Sequence, residues 1–253
     1  MKAFKFLNLI AEGVVSAISF LTLIPIRKEQ KITPTTIIFF PLIGLLLGGS
    51  LVLLNFILTK VFCFNAYLTA GLLLAGYIAL TGGLHLDGLS DTVDGLVGGR
   101  GDREKTLLIM DETHIGAMGV IAIGCNILIK FILLTNLPQC ALLVFPCVSR
   151  WAMVLSMRTS RPAKMVGLGK LCIENTTLSS FIVATVICVV ITLIALPVDI
   201  ALLGIIISGL VAYKLTKSFT RRLGGMTGDA IGAINEIVEN IMLICVVWLW
   251  GIV

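Results

Sequence analysis

Ala66-Tyr-Leu-Thr-Ala-Gly-Leu-Leu-Leu-Ala-Gly-Tyr-Ile-Ala-Leu-Thr-Gly-Gly-Leu-His-Leu86, followed at once by Asp87-Gly-Leu-Ser-Asp91-Thr-Val-Asp94-Gly95, sets the class of this protein. Residues 66–86 contain no Asp, Glu, Lys or Arg. As a helix, a run of that length covers the ~30 Å hydrocarbon core of a bilayer. The carboxylates that follow are spaced by four and three, so a helix carries all three on one face. Like charges so placed repel unless something cationic sits between them. An acid cluster pressed directly against an apolar run reads as a metal site at the edge of a membrane.

The rest of the chain is equally apolar. Of 253 residues, 58% are hydrophobic and 13% charged, with a mean hydropathy of +1.07. Soluble domains run at about 45–50% and about 25%. The composition excludes an ordinary soluble enzyme and implies an all-α, polytopic membrane helical bundle in a lipid bilayer, a single transmembrane catalytic domain over 1–253. Further runs at 7–26, 37–58, 117–135, 140–157, 179–197, 199–216 and 232–252 predict seven or eight spans. The first is the weakest, because Glu12 and Pro25 interrupt it. The start, with Lys2 and Lys5, resembles a signal peptide, but Glu12 breaks its apolar stretch and the segment is expected to be retained. The seven cysteines form no Cys-x-x-Cys pair and read as small core residues. With only His85 and His114, a histidine-rich zinc site is not expected.

The charges set an orientation. Fourteen of the nineteen Lys and Arg residues fall in alternate connections: Arg27, Lys28 and Lys31; Arg100, Arg103 and Lys105; Arg158, Arg161, Lys164 and Lys170; Lys214, Lys217, Arg221 and Arg222. The opposite connections carry Lys60 alone. The positive-inside rule places the basic connections in the cytoplasm, with Trp248 and Trp250 in the interfacial belt at the far side. Chemistry is therefore expected at the cytoplasmic face.

Three blocks lie on that face. In the first, Asp87, Asp91 and Asp94 offer hard oxygen ligands suited to Mg2+ or Mn2+. Arg100 and Arg103 follow within a glycine-rich stretch, and acids holding a metal beside guanidinium groups suit a diphosphate. Asp111 and Glu112 add acids that read equally well as a helix-start cap. The second block, Arg158 to Gly169, has the composition of an anion-contacting loop, although membrane topology alone accounts for its charge. The third is Gly224-Gly225-Met226-Thr227-Gly228-Asp229, a glycine-rich turn before a helix, whose free N–H groups make a phosphate cradle. Asp229 is either a cap or a ligand, and it shares a helical face with Glu236. Asn235, Glu236, Glu239 and Asn240 at the start of a span require a polar cavity. Lys130 can snorkel outward, whereas Arg150 needs an acid across the bundle, such as Glu236.

At these residues the chain resembles the cobalamin synthase family, the adenosylcobinamide-GDP ribazoletransferases. The resemblance rests on Phe20-Leu21-Thr22-Leu-Ile-Pro25, Phe40-Pro41-Leu42-Ile43-Gly44, Gly83 to Leu96, Arg161-Pro162 with Gly167-Leu168-Gly169, and Gly225-Met226-Thr227-Gly228-Asp229. It covers nearly the whole chain. Where the family reads Met-Lys-Asp-Ser-Arg-Ile-Gly, this chain has Met110-Asp111-Glu112-Thr113-His114-Ile115-Gly116, and the spacing near 163–166 is stretched. The resemblance implies that adenosylcobinamide-GDP and α-ribazole, or its 5'-phosphate, give adenosylcobalamin, or its 5'-phosphate, and GMP. It also implies Mg2+ dependence and a prokaryotic inner-membrane protein whose site faces the cytoplasm. On that reading Asp87, Asp91, Asp94 and Asp229 hold one or two Mg2+. Arg100, Arg103 and Arg161, with Gly225, Thr227 and Gly228, contact substrate phosphate. Asp94, Asp229 or His85 takes the proton from the attacking hydroxyl. No nucleic-acid partner is expected, and the sequence leaves open whether copies form a homo-oligomer.

Two rivals remain. A CDP-alcohol phosphotransferase also uses an Asp-Gly-rich cluster at a membrane face, but Ser90-Asp91 stands where its Ala-Arg would be. An ion-coupled transporter also carries intramembrane acids, but here the polar blocks gather at one face and no inverted repeat is visible.

Overall fold

The computed structural model describes residues 2–24, 26 and 31–251; Pro25, Arg27 and Lys28, named above, lie outside them. The elements of the described chain are all helices: α1 (Lys2–Leu21), α2 (Pro34–Ile38), α3 (Phe40–Phe56, continued by a π-helical turn Ile57–Val61), α4 (Ala66–Thr81), α5 (Leu84–Gly98), α6 (Arg103–Met110), α7 (Ala117–Leu134), α8 (Gln139–Arg158), α9 (Leu168–Asn175), α10 (Leu178–Ala195), α11 (Val198–Leu223) and α12 (Gly228–Trp250). Side-chain caps mark several starts. Asn65 accepts from Leu68 N at 3.0 Å and Thr227 from Ala230 N at 3.1 Å.

Six of these helices are long and apolar enough to cross a membrane: α3 with its π turn, α7, α8, α10, α11 and α12. The bent pair of α4 and α5 meets the same test only when taken together, which would make a seventh. The run expected at 66–86 is cut short there, because α4 ends at Gly82 and α5 leaves at 87° to it. Gly82 and Gly83 both have φ of +67°, a conformation that glycine adopts without strain. Leu23 lies against Gly82 and its N–H donates to Leu80 O at 2.9 Å, which satisfies one carbonyl at the broken end. We read α4 as the spanning part, and α5 as lying across the end of the bundle, outside the membrane-spanning segments. The expected span at 7–26 is also revised. Its helical part ends at Leu21, the last residue of α1.

α8 and α12 form the centre. Their spanning windows are 83% and 78% buried, against 17% for α7 and 22% for α10, whose apolar side chains face outward. Small residues allow close approach: a Cβ on Gly44 of α3 would lie 2.3 Å from the Pro146 carbonyl oxygen of α8. Four cysteines, Cys147, Cys172, Cys188 and Cys245, are buried as expected, while Cys63 and Cys125 are exposed.

Lys130 does not snorkel. It is buried, with Nζ 2.7 Å from Glu236 and 2.5 Å from Glu239. Arg150 is fully buried and pairs with Glu239 rather than Glu236. The Tyr77 hydroxyl accepts from Arg150 Nη1 and donates to Glu239. Asn126 donates to Glu236 at 2.8 Å, and Asn235 to Glu239 at 3.0 Å. Two cations and two carboxylates thus balance inside the bundle, joining α4, α7, α8 and α12. Unpaired, each of those charges would be strongly unfavourable there.

Candidate active site

Three of the four basic connections, those around Arg103, Arg161 and Gly224, meet at one end of the bundle. Residues 161–163 pair with 224–226: Ala163 N donates to Met226 O at 2.9 Å, and Met226 N to Arg161 O at 2.8 Å. Arg103 reaches across from α6, with Nε donating to Leu223 O at 2.8 Å and Nη2 to Ala163 O at 3.2 Å. Arg161 Nε donates to Gly224 O at 2.9 Å. Two of the three arginines expected to meet substrate therefore also staple the loops. Each guanidinium has five N–H donors, so both retain donors for an anion. Arg100 is exposed, in the left-handed region at φ +49°.

α5 lies across the start of α12. Gly88 makes this possible: a Cβ there would lie 2.9 Å from Asp229 Cα. One turn further down α12, Gly232 faces His85. The contact sets Asp87 and Asp91 beside Asp229, which the sequence separates by well over a hundred residues. The three aspartates of α5 share its outer side, as their spacing predicts. Asp87 is exposed, Asp91 and Asp94 are half-buried, while Gly88, Leu89, Ser90, Thr92 and Gly95 are buried beneath them.

The three are not equivalent. Asp94 accepts from Gly116 N at 2.7 Å and from Gly119 N at 2.8 Å, one bond to each oxygen. It caps α7, whose own N-cap residue, Gly116, has no side chain to do so. Asp91 has no such partner, and its carboxyl is pushed up to about 6. Burial is the largest cause, followed by the charges of Asp87, Asp229 and Asp94, with Lys164 opposing. On α12 the cap is Thr227, not Asp229, so the Asp229 carboxylate stands in the first turn free of that task.

A cavity of about 450 Å3 opens beside this cluster. Thr227, Gly228 and Asp229 line it, with Lys164, His85 and Asp111. Lys164 Nζ is 2.5 Å from Asp111. Gly225 does not reach the cavity: it is buried against Pro162, and a Cβ there would sit 2.5 Å from that backbone. His85 is buried, and its Nε2 finds no hydrogen-bond partner in the protein. Burial, and then the charge of Arg150, lower its imidazole to about 3, so it is neutral at ordinary pH. The sequence reading did not single out Met153 and Met157, which line the cavity, or the Lys164–Asp111 pair. The i, i+7 relation of Met157 to Arg150 on the buried face of α8 was the available signal.

Among the described residues, no three acidic, histidine or cysteine side chains stand close enough to ligate one ion. The donor set still fits a hard divalent cation. All four nearby acids offer oxygen, and their mutual repulsion registers on Asp91, so the cluster is short of positive charge.

The cobalamin-5-phosphate synthase family profile matches residues 13–247. A protein of Caldanaerobacter subterraneus subsp. tengcongensis named adenosylcobinamide-GDP ribazoletransferase is 36% identical over 244 residues, covering 92% of this chain and 96% of its own. Proteins of the same name from Clostridium acetobutylicum and Acinetobacter baumannii are 34% and 36% identical, covering 92% and 90% of this chain and 94% and 93% of their own. No solved structure matches.

Proposed function

The chain belongs to the cobalamin-5-phosphate synthase family, and from that premise we propose that it joins adenosylcobinamide-GDP to α-ribazole or its 5'-phosphate. The products are adenosylcobalamin, or its 5'-phosphate, and GMP. It is a transferase of the late nucleotide-loop assembly step. The observation that carries the reading is the near full-length match, together with the carboxylates that α5 and α12 bring to one end of the bundle.

A ribose hydroxyl forms a bond to the phosphorus attached to cobinamide. The bond from that phosphorus to the bridging oxygen breaks, and GMP departs with the electron pair. Positioning and charge neutralisation supply most of the acceleration in such a transfer. Asp87, Asp91 and Asp229, two at a time, would hold Mg2+, which when bound neutralises diphosphate charge. Asp94, with both oxygens on α7 amides, supports the cluster by fixing α7 against α5. Asp229, half-buried and beside the cavity, is placed to take the hydroxyl proton. His85 is suited to hold a substrate group by hydrogen bond rather than to act as the base. Arg100 and the spare donors of Arg103 and Arg161 would be available to the departing phosphate.

The site faces the cytoplasm of a prokaryotic inner membrane; the gathering of three of the four basic connections around it supports that orientation. Purified protein given both substrates and Mg2+ should release GMP and cobalamin in equal amounts. A CDP-alcohol with a diacylglycerol-type acceptor should give no product, and flux across proteoliposomes without a chemical product would favour a transporter instead.

A further inference from the structure

Four charged side chains line the cavity of about 450 Å3: Lys164, Lys170, Asp111 and Asp229. Asp229 belongs to the aspartate cluster already described. Asp111 is engaged by Lys164. The transfer set out above gives neither lysine a task, and among the described lining residues they are the only cations. Both spring from backbone that is fixed in place. Ala163, next to Lys164, donates to Met226 O at 2.9 Å and accepts from Arg103 Nη2 at 3.2 Å. Lys170 lies in the first turn of α9. That turn is pressed on the start of α12, where a Cβ on Gly169 would lie 2.5 Å from Gly228 N.

Each lysine is paired with an acid that holds it loosely. The Asp111 and Glu174 side chains are 64% and 52% exposed, against 26% and 27% for Lys164 and Lys170. Ion pairs so open to water contribute little. The second is weaker still: Lys170 Nζ is 3.7 Å from Glu174, beyond hydrogen-bond reach, and the lysine precedes the acid in the less favourable order. An ammonium has three donors, so the single bond from Lys164 to Asp111 leaves two for a ligand. A phosphate, with up to two charges and three acceptor oxygens, is the stronger partner. Met153, Met157 and Ile231 make much of the remaining wall apolar. The cavity therefore suits a molecule with an anionic end and an apolar, flat body.

We propose that Lys164 and Lys170 bind the phosphate of the reactant that occupies this cavity, and that Asp111 and Glu174 hold the two ammonium groups until it arrives. The proposal rests on the ribazole-transfer reading of the site. On that reading adenosylcobinamide-GDP and α-ribazole 5'-phosphate both carry phosphate, and α-ribazole carries none.

The test measures equilibrium binding of these three molecules, each alone, to the full-length protein in nanodiscs with Mg2+. Lys164→Met and Lys170→Met remove the charges and keep the stems, and Tm checks that the fold is unchanged. The expected result for each is a loss of about tenfold or more in affinity for at least one phosphate-bearing reactant, as for a lost charge-assisted bond. Affinity for α-ribazole should stay within about twofold of wild type. A loss confined to adenosylcobinamide-GDP assigns its diphosphate to the lysines, and a loss confined to α-ribazole 5'-phosphate assigns its phosphate. Asp111→Asn should bind the affected reactant at least as tightly as wild type, because it removes a competing carboxylate. If Asp111→Asn weakens binding as much as Lys164→Met does, the pair is a strap between two loops and the proposal is overturned. Equal weakening of α-ribazole, or no change in either phosphate-bearing reactant, overturns it as well. Protein whose lysines bind a phosphate-bearing reactant in this way, but which forms no cobalamin, would overturn the reaction and leave the phosphate seat standing.

Discussion

Both oxygens of Asp94 accept backbone hydrogens at the start of α7, whereas Asp91, three residues earlier, accepts none. The two therefore differ in what their loss should do. Asp94→Ala should lower stability by about 1–2 kcal/mol, as loss of a helix cap does, and show as a fall in Tm. Asp91→Asn should leave Tm at or above the wild-type value, because it removes a repulsion. The pH dependence has a definite sign. The folded protein holds the Asp91 proton more tightly than an exposed carboxyl does, with its pKa at about 6. Metal-free protein should thus gain stability as pH falls from about 6 toward about 4, where the unfolded chain also binds the proton. Mg2+ affinity should fall over that same descent, since the ion and the proton compete for one carboxylate. Titrations at pH 7.5 and 5.5 read this directly, and Asp91→Asn should flatten the difference. The four-and-three spacing made the shared face of these acids legible in the sequence. The task of Asp94 was not, since its amide partners lie 22 and 25 residues further on. Thr227 likewise took the cap that Asp229 competed for, and only the folded turn decided between them.

Among the elements, α5 is the one whose placement matters most. An apolar run of spanning length concealed its start, because hydropathy does not register that Gly82 and Gly83 turn the chain by 87°. The glycine pair itself was visible, and so were the aspartates after it. Missing was the surface that α5 would meet, which is the start of α12, with Gly88 at the crossing. Gly88→Val should force the two helices apart, costing about 1–3 kcal/mol as overpacking does. Turnover should fall far more than stability, because Asp87 and Asp91 would withdraw from Asp229. Comparing Tm with kcat separates the two effects.

The molecule as a whole is pinned by Tyr77, Lys130, Arg150, Glu236 and Glu239. The sequence showed that Arg150 and the α12 acids had to find partners inside the bundle. It did not show which, because the pairing depends on how α4, α7 and α8 rotate about α12. Glu239→Gln would leave Lys130 and Arg150 with one carboxylate between them, and should cost about 3–5 kcal/mol, the penalty for breaking a buried pair. Detergent-resistant folding and thermal melts test this. Orientation has its own readout. Cys63 is exposed in the connection between α3 and α4, which the orientation expected from the charges puts opposite the basic loops. A membrane-impermeant thiol reagent should label it in intact spheroplasts, whereas a cysteine placed by Glu112→Cys should react only after lysis. On the proposed function, the α5 aspartates, set against Asp229, carry out a cation-assisted diphosphate exchange. The most direct measurement is the formation of GMP and cobalamin by purified Asp87→Asn and Asp91→Asn proteins across a Mg2+ titration. The expected result is a loss of about 100-fold or more in each, as for removal of a group that stabilises transition-state charge, with folding intact. Near-wild-type turnover in both would contradict it.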